Sequence, residues 1–256
     1  MSTMKVVRGK RVRVTKVDRC GMPIAGEQSV LVTKGFVTVS FTQAMKDAED
    51  LEQTNADGEI CVADRTAPQV RWGNVEINLC EVDTELFGMM TGMPQVLDYA
   101  NESVGFRISR EIQTDQGFAF ELWSGTAGDD CDEPDDDDVL TASTPSLDYG
   151  YWLAPAVVEA TLGDIEVGAS VSTFTVSGRA VAGPRWGRGP FNVVPTDDAN
   201  TAGRLLAPMK RDQYVHVQRT SIAPPEITSG ARPLTLPTPY YGAEAVAVAP
   251  DPDPAP

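Results

Sequence analysis

Apolar and polar residues alternate with a period of two along most of the chain, and this alternation constrains the fold more than any other feature. Successive side chains of a β-strand point to opposite faces of a sheet, so the pattern is typical of strands with one buried and one polar face. Turn-forming sequences separate the runs, namely Asn55-Ala-Asp-Gly58, Gly183-Pro184 and Asp197-Asp-Ala-Asn200. The sequence therefore predicts an all-β fold, mainly an antiparallel β-sandwich or partial barrel. The alternating runs are residues 11–15, 37–42, 74–79, 106–112, 118–122, 173–177 and 215–217.

One segment predicts a short flanking α-helix. Asp83 is a favourable N-cap, Glu85 lies in the first turn, and Gly92 followed by Pro94 ends the segment. The apolar side of this helix consists of Leu86, Phe87, Met89 and Met90. Residues 44–52 fit a second short helix or a mobile loop equally well.

Charge and proline content divide the chain into three parts. Residues 1–19 predict a basic N-terminal arm or first strand, because seven of the 21 basic residues precede Cys20. Residues 20–223 predict the β domain, and residues 128–148 insert into it a run of carboxylates that repels itself into a solvated loop. Residues 224–256 are rich in proline and predict an extended C-terminal arm outside the core.

The composition argues against several classes of protein. The net charge of −16 opposes binding to a nucleic-acid backbone, although it does not exclude a protein that surrounds DNA without gripping it. The first 16 residues lack the apolar core of a signal peptide, and the chain has no run of about 18 apolar residues. We therefore expect a soluble protein that is made in the cytoplasm.

The residues that usually bind metals do not form a recognisable site. Cys20, Cys61, Cys80 and Cys131 show no Cys-x-x-Cys spacing, and His216 is the one histidine. We expect reduced, partly buried cysteines, with a disulfide between two of them, formed after release from the cell, as the alternative. The acidic run lacks the spacing of a preorganised calcium loop. The sequence thus predicts no metal and no cofactor.

The chain also lacks the common catalytic motifs, so we expect that it is not an enzyme. It has no nucleophile elbow, no phosphate-binding loop and no paired zinc motif. His216 lies within a strand pattern that favours a packed or surface histidine over a general base. Trp186 stands between Arg185 and Arg188, where it is either a stacking platform for a base or sugar or, as we favour, an anchor for a tight connection.

Eleven longer stretches, taken in order along nearly the whole chain, resemble those of a known protein family. They are VTKVDRCGMP at 14–23, GFVTVS at 35–40, VEINLCEVDTELF at 75–87, MTGMP at 90–94, VGFR at 104–107, FAFELWSG at 118–125, YGYWL at 149–153, WGRGPF at 186–191, HVQ at 216–218, PPE at 224–226 and GARPL at 230–234. With these stretches the chain resembles the major tail (tube) proteins of long-tailed phages that infect actinobacteria. Residues 129–148 and the tail beyond Leu236 depart from that pattern.

The resemblance implies a tail-tube-like fold and a structural role. In that family, hexameric rings stack head-to-tail into a hollow tail tube, the channel for DNA ejection into the host. The implied partners are other copies of the chain, the tail-tip or baseplate, tail terminator and tape measure proteins, and DNA transiently in the lumen, with no membrane. The implied location is the tail of the virion.

Two other functions stay open. The first is another structural protein of the virion, a head-decoration or tail-tip component, which would assemble with another symmetry or in few copies. The second is a carbohydrate-binding or hydrolytic β-sandwich, which would show a glycan-dependent signal.

Two surfaces are predicted to carry the tube function. Two alternating runs fit a long hairpin with one polar face, and we expect this face to line the channel. Its residues are Thr38, Ser40, Thr42, Asn74, Glu76 and Asn78. The basic N-terminal segment is either a solvated terminus or, as we favour, an intersubunit contact that meets the acidic clusters of a neighbour at residues 47–59 and 129–148. Its residues are Lys5, Arg8, Lys10, Arg11 and Arg13.

Overall fold

The protein is described by a computed structural model that covers residues 8–81, 83–125, 149–163, 165, 173–182, 185–197 and 199–241. The predictions for Lys5, Cys131, Gly183-Pro184, residues 128–148 and the chain beyond residue 241 lie outside these residues. The helix is α1 (Thr84–Thr91). The strands are β1 (Gly9–Asp18), β2 (Gly26–Thr33), β3 (Phe36–Lys46), β4 (Asp50–Thr54), β5 (Ile60–Arg65), β6 (Gln69–Leu79), β7 (Gln95–Leu97), β8 (Ser103–Phe106), β9 (Gln116–Gly125), β10 (Tyr149–Leu162), β11 (Phe174–Ala180), β12 (Val194–Pro195), β13 (Ala202–Gly203), β14 (His216–Thr220) and β15 (Arg232–Leu234).

One antiparallel sheet of nine strands forms the body of the protein. The strand order is β15-β2-β1-β9-β10-β11-β6-β3, and β14 pairs with β10 outside this path. On the side away from β9, the long strand β10 pairs with two different strands along its length. Its first residues, Tyr149 to Leu153, pair with β14, and the part from Val157 to Leu162 pairs with β11. The predicted fold class, mainly antiparallel β with one short helix, is confirmed.

The sheet curls over, so that β3 faces the middle strands across the core. Strand β2 lies next to one edge and β3 forms the other, yet only Lys34 and Gly35 connect them. Three Cα–Cα steps span at most about 11 Å, so the end of β2 and the start of β3 must lie close together. The ring of Phe41 in β3 lies 5.9 Å from the ring of Trp152 in β10 and 6.3 Å from that of Phe120 in β9, both in the middle of the sheet.

A first core fills the inner side of the curled sheet, and α1 closes it. Its buried residues are Val12, Val14, Leu31, Val75, Ile77, Leu79, Leu86, Phe87, Met89, Met90, Phe118, Phe120, Leu122, Ala154, Val157, Ala160, Val176 and Ala180. The helix has the predicted ends, because the Asp83 carboxylate accepts hydrogen bonds from the backbone N–H groups of Glu85 and Leu86, and Gly92 is left-handed with φ of 71°.

A second core covers part of the outer side of the same sheet. It contains Val17, Ala119, Trp123, Tyr151, Leu153, Trp186, Val193, Val194 and Leu205. Strand β9 is therefore buried on both faces from Gly117 to Gly125. The alternation of Phe118 and Phe120 with Ala119 and Glu121 predicts one polar face on this strand. That prediction is wrong because the segment after residue 185 packs over the outer side.

Several local predictions also need correction. Residues 44–52 form neither a helix nor a loop alone, since β3 runs to Lys46 and β4 begins at Asp50. The run at 106–112 is not a strand beyond Phe106, and Ile108 and Ile112 are exposed. Within the described ranges, no helix is long and apolar enough to cross a membrane.

The described part of the C-terminal segment belongs to the domain and is not a detached arm. Strand β15 pairs with β2, and Leu234 is buried. The Thr228 hydroxyl accepts a hydrogen bond from the N–H of Val32 at 3.0 Å. The Tyr240 hydroxyl donates to the carbonyl oxygen of Trp186 at 2.7 Å. The chain to residue 241 thus packs on the sheet despite its prolines, through one short strand and two side-chain hydrogen bonds.

Candidate functional site

The residues predicted to line a channel lie on one side of the β3–β6 pair. Residues that are directly opposite each other in an antiparallel pair project to the same side of the sheet. The opposite residues are Thr38 and Asn78, Ser40 and Glu76, and Thr42 and Asn74. The side chains between them, among them Val39 and Ile77, point to the first core. Asn78 is half-buried and the other five are exposed.

Strands β11 and β10 widen this surface. In the register of β6 with β11, Asn78 faces Thr175, Glu76 faces Ser177 and Asn74 faces Arg179. Glu159 and Thr161 of β10 then line an open groove of about 380 Å³ together with residues of the other three strands. We call the whole surface the polar face. It comprises Thr38, Ser40, Thr42, Asn74, Glu76, Asn78, Glu159, Thr161, Thr175, Ser177 and Arg179.

Hydrogen bonds between strands hold the polar face in one arrangement. The Asn78 amide nitrogen donates to the Thr38 hydroxyl at 2.8 Å, and the Thr175 hydroxyl donates to the Asn78 amide oxygen at 2.5 Å. The hydroxyls of Thr161 and Ser177 lie 3.3 Å apart. The alternation at 173–177 predicts polar side chains on β11, but only the sheet order shows that they adjoin those of β6.

The charged groups of the polar face are two carboxylates and one guanidinium. Arg179 holds the Glu159 carboxylate with two hydrogen bonds, of 2.6 Å from Nη2 to Oε1 and 3.1 Å from Nε to Oε2. These hydrogen bonds lower the pKa of Glu159 and raise the pKa of Arg179 from their ordinary values. The pair therefore stays ionised, and its charges cancel.

The structure corrects the N-terminal prediction for Arg13. Its guanidinium is buried and makes hydrogen bonds of 2.5 and 2.6 Å to the carboxylate of Glu121, which is fully buried. The same carboxylate accepts a hydrogen bond of 2.6 Å from the Tyr151 hydroxyl. Burial and the Glu121 charge raise the pKa of Tyr151 well above its ordinary value, so the hydroxyl keeps its proton. Arg13 is thus an interior residue, because the ring of Phe191, 3.5 Å from its guanidinium carbon, covers that side of β1.

The other basic residues of this segment lie nearer the surface. Arg8 is exposed, whereas Lys10 and Arg11 are half-buried. The Arg11 guanidinium donates to the Lys10 carbonyl oxygen at 2.9 Å. Their part in an intersubunit contact stays a prediction.

The tryptophan, histidine and cysteine residues considered as candidates do not form a binding or metal site in the described part of the chain. Trp186 is buried in the second core, so its ring anchors the connection and is not a platform for a ligand. His216 is half-buried, with a ring nitrogen 2.9 Å from the Gln218 amide oxygen. Cys20, Cys61 and Cys80 are free thiols and are exposed, so the expected partial burial is wrong for these three. Among the described residues, no three His, Cys, Asp or Glu side chains are grouped to hold a metal ion.

A second surface, which sequence reasoning missed, is a two-stranded arm formed by β4 and β5 with their turn at residues 55–59. Every residue of both strands is exposed. Leu51 lies opposite Asp64 and Gln53 lies opposite Val62, so Leu51 and Val62 share one face, whereas Ile60 lies opposite Thr54 beyond a bulge. These three apolar side chains are each more than half exposed. The turn sequence at residues 55–58, followed by the apolar run at residues 60–63, is the sequence signal for this arm.

No protein-family model matches the chain, and no curated protein matches it either.

Proposed function

We propose that this protein is a structural subunit of a phage tail that assembles head-to-tail into hexameric rings, which stack into the tail tube. The observation that carries the proposal is the β4–β5 arm. A lone two-stranded hairpin is marginally stable in water, and exposed apolar clusters mark sites of interaction. Leu51 and Val62 are exposed on one face of the arm, where another subunit would cover them.

Strand β3 supports assembly in a second way. It forms one edge of the nine-stranded sheet and is 11 residues long. The outward row of backbone N–H and C=O groups on such an edge is a template for pairing with another strand. An edge that pairs with the next subunit makes a heterologous contact, and such contacts close into rings or continue as open stacks.

The polar face supports a channel for DNA. Its hydroxyl and amide groups are wettable, and its guanidinium is engaged by Glu159. A protein that holds DNA needs several cations on phosphates, so a wall of this chemistry lets the polyanion slide. We assign the polar face to the lumen. The tape measure protein would lie inside the tube, and the tail-tip and terminator proteins would lie at its ends.

Assembly tests the proposal directly. The purified protein should form rings or tubes of uniform diameter in negative-stain electron microscopy, with a critical concentration measurable by sedimentation. Replacing Leu51 and Val62 by aspartate should raise that concentration at least about tenfold, because burying one such side chain contributes about 1.5–3 kcal/mol. The Tm of the isolated subunit should stay unchanged, since both side chains are exposed.

The matched control is Ala63→Asp, which adds a charge to the opposite face of the arm. This variant should assemble more readily than the Leu51/Val62 variant. A wild-type protein that stays monomeric at high concentration, even with the tail-tip complex present, would refute the proposal. Assembly with another symmetry would indicate a head-decoration or tail-tip component instead.

A further inference from the structure

Strand β10 contains a bulge where it borders the polar face. Val158 pairs with Arg179 and Thr161 pairs with Ser177, so three steps along β10 match two steps along β11. An extra residue of this kind bends a strand and redirects a side chain. Glu159 is in the bulge and has φ of 55°, in the left-handed region that non-glycine residues seldom adopt.

The bulge aims Glu159 at Arg179. The bidentate pair has its shorter contact at 2.6 Å, and both side chains remain partly open to solvent, at 35% for Arg179 and 44% for Glu159. The guanidinium carbon also lies 6.0 Å from the ring of Trp72. Contacts on two sides thus hold Arg179 in place while it borders the groove.

The chemistry of arginine explains why this partner matters. A guanidinium presents a planar fork of N–H donors that fits a phosphate in the same way as it fits a carboxylate. In this protein the Glu159 carboxylate occupies the Nε–Nη2 edge of that fork and neutralises its charge. Glu76 lies on the same face but forms no contact of this kind with Arg179 in the described part of the chain.

We propose that Glu159 masks Arg179, so that the polar face cannot hold a nucleic-acid phosphate through its guanidinium. The biological meaning of the mask rests on the proposed lumen. Each phosphate contact adds about 0.9 to the slope of log K against log salt, so one unmasked arginine repeated in every subunit would hold DNA at many points. The left-handed backbone conformation of Glu159 then directs its carboxylate to Arg179, and this keeps the channel wall free of cations that would bind DNA phosphates.

The first test is made below the critical concentration for assembly, so it measures the single subunit. The Nε–H resonance of Arg179 is followed by NMR while a short DNA duplex, or inorganic pyrophosphate, is added. In wild type the resonance should stay in place. In Glu159→Gln it should move, and the shift should disappear at high salt. Glu159→Gly is a second variant, because glycine accepts the left-handed backbone without strain and also removes the carboxylate.

Glu76→Gln is the matched control, since it removes the same charge from the same face and leaves the mask intact. Its Arg179 resonance should behave like that of wild type. In assembled tubes, Glu159→Gln should retain DNA at least about tenfold more strongly than Glu76→Gln, as expected for one charge-assisted contact.

Two results would contradict the masking of Arg179 by Glu159. The first is an Arg179 resonance that stays in place in both Glu159 variants, and the second is one that moves equally in Glu76→Gln. A failure of tube formation, with the NMR result intact, would count against the proposed function and leave the mask standing.

Discussion

Replacing Glu121 by alanine removes the carboxylate that neutralises Arg13 inside the second core. Glu121 is fully buried, and the side chain of Arg13 is 8% exposed, so water cannot take over the lost interaction. Leaving one partner of a buried pair without the other costs about 3–5 kcal/mol. A domain is stable by about 5–15 kcal/mol, so this loss is a large share of the total. Tyr151→Phe removes one neutral donor to the carboxylate and should cost about 1–3 kcal/mol.

The assay is urea denaturation followed by tryptophan fluorescence, with a double-mutant cycle. Arg13→Met and Glu121→Leu should each be strongly destabilising. The double variant should cost at least about 2 kcal/mol less than the sum of the two, because apolar side chains replace both charges. The exposed pair of Arg179 and Glu159 is the comparison, and breaking it should change the free energy of unfolding by about 1 kcal/mol or less.

Additive effects in that cycle would refute the reasoning. A cost of Glu121→Ala below about 1 kcal/mol would do the same, because it would mean that solvent reaches the pair. A changed m-value in either single variant would show that the denatured state or the cooperativity had changed, and the cycle would then be repeated with Glu121→Gln.

Three further predictions follow from the fold and the two proposed surfaces. Gly117→Ala should destabilise the subunit by about 1–3 kcal/mol in urea denaturation, because its methyl group would meet the Val157 carbonyl oxygen. Gly105→Ala, whose methyl group would lie 3.6 Å from Val96, should change stability by about 0.5 kcal/mol or less. Lysine at Ser40 and Thr42 should leave tubes intact in electron microscopy and slow DNA ejection measured by dye release, and an unchanged rate would remove these residues from the lumen. Arg8→Gln should weaken assembly as high salt does, since exposed charges are screened beyond about 8–10 Å. Normal polymerisation of that variant, with no effect of salt on wild type, would make the N-terminus a solvated tail.

The structure changes how the N-terminal segment can be tested. A truncation up to Arg13 first suggests itself for a basic arm, but β1 begins at Gly9 and pairs with both β2 and β9. Such a truncation would remove half of a central strand and unfold the subunit. Single substitutions at the exposed end of the segment keep the sheet intact and change only the charge.

The sequence by itself determined the features that depend on near neighbours. The helix follows from Asp83 and Gly92, which satisfy the backbone groups at its two ends within a few residues. The shared side of Thr38, Ser40 and Thr42 follows from the pleat of a strand, which sends alternate side chains to opposite faces. The turn at residues 55–58 also has a local cause, since the Asn55 side chain accepts hydrogen bonds from the backbone N–H groups of Asp57 and Glu59.

Only the tertiary structure decided what lies against each face. Glu121 alternates with Phe120 as an outward residue should, yet it is buried, because residues after 185 cover that side and Arg13, 108 positions away, supplies its counter-charge. The polar face extends to Glu159 because β10 and β11 lie next to β6, an order that no single strand encodes. The alternation of apolar and polar residues in the sequence indicates which side chains share one side of a strand. What covers that side depends on contacts between distant segments, whose register is fixed by packing.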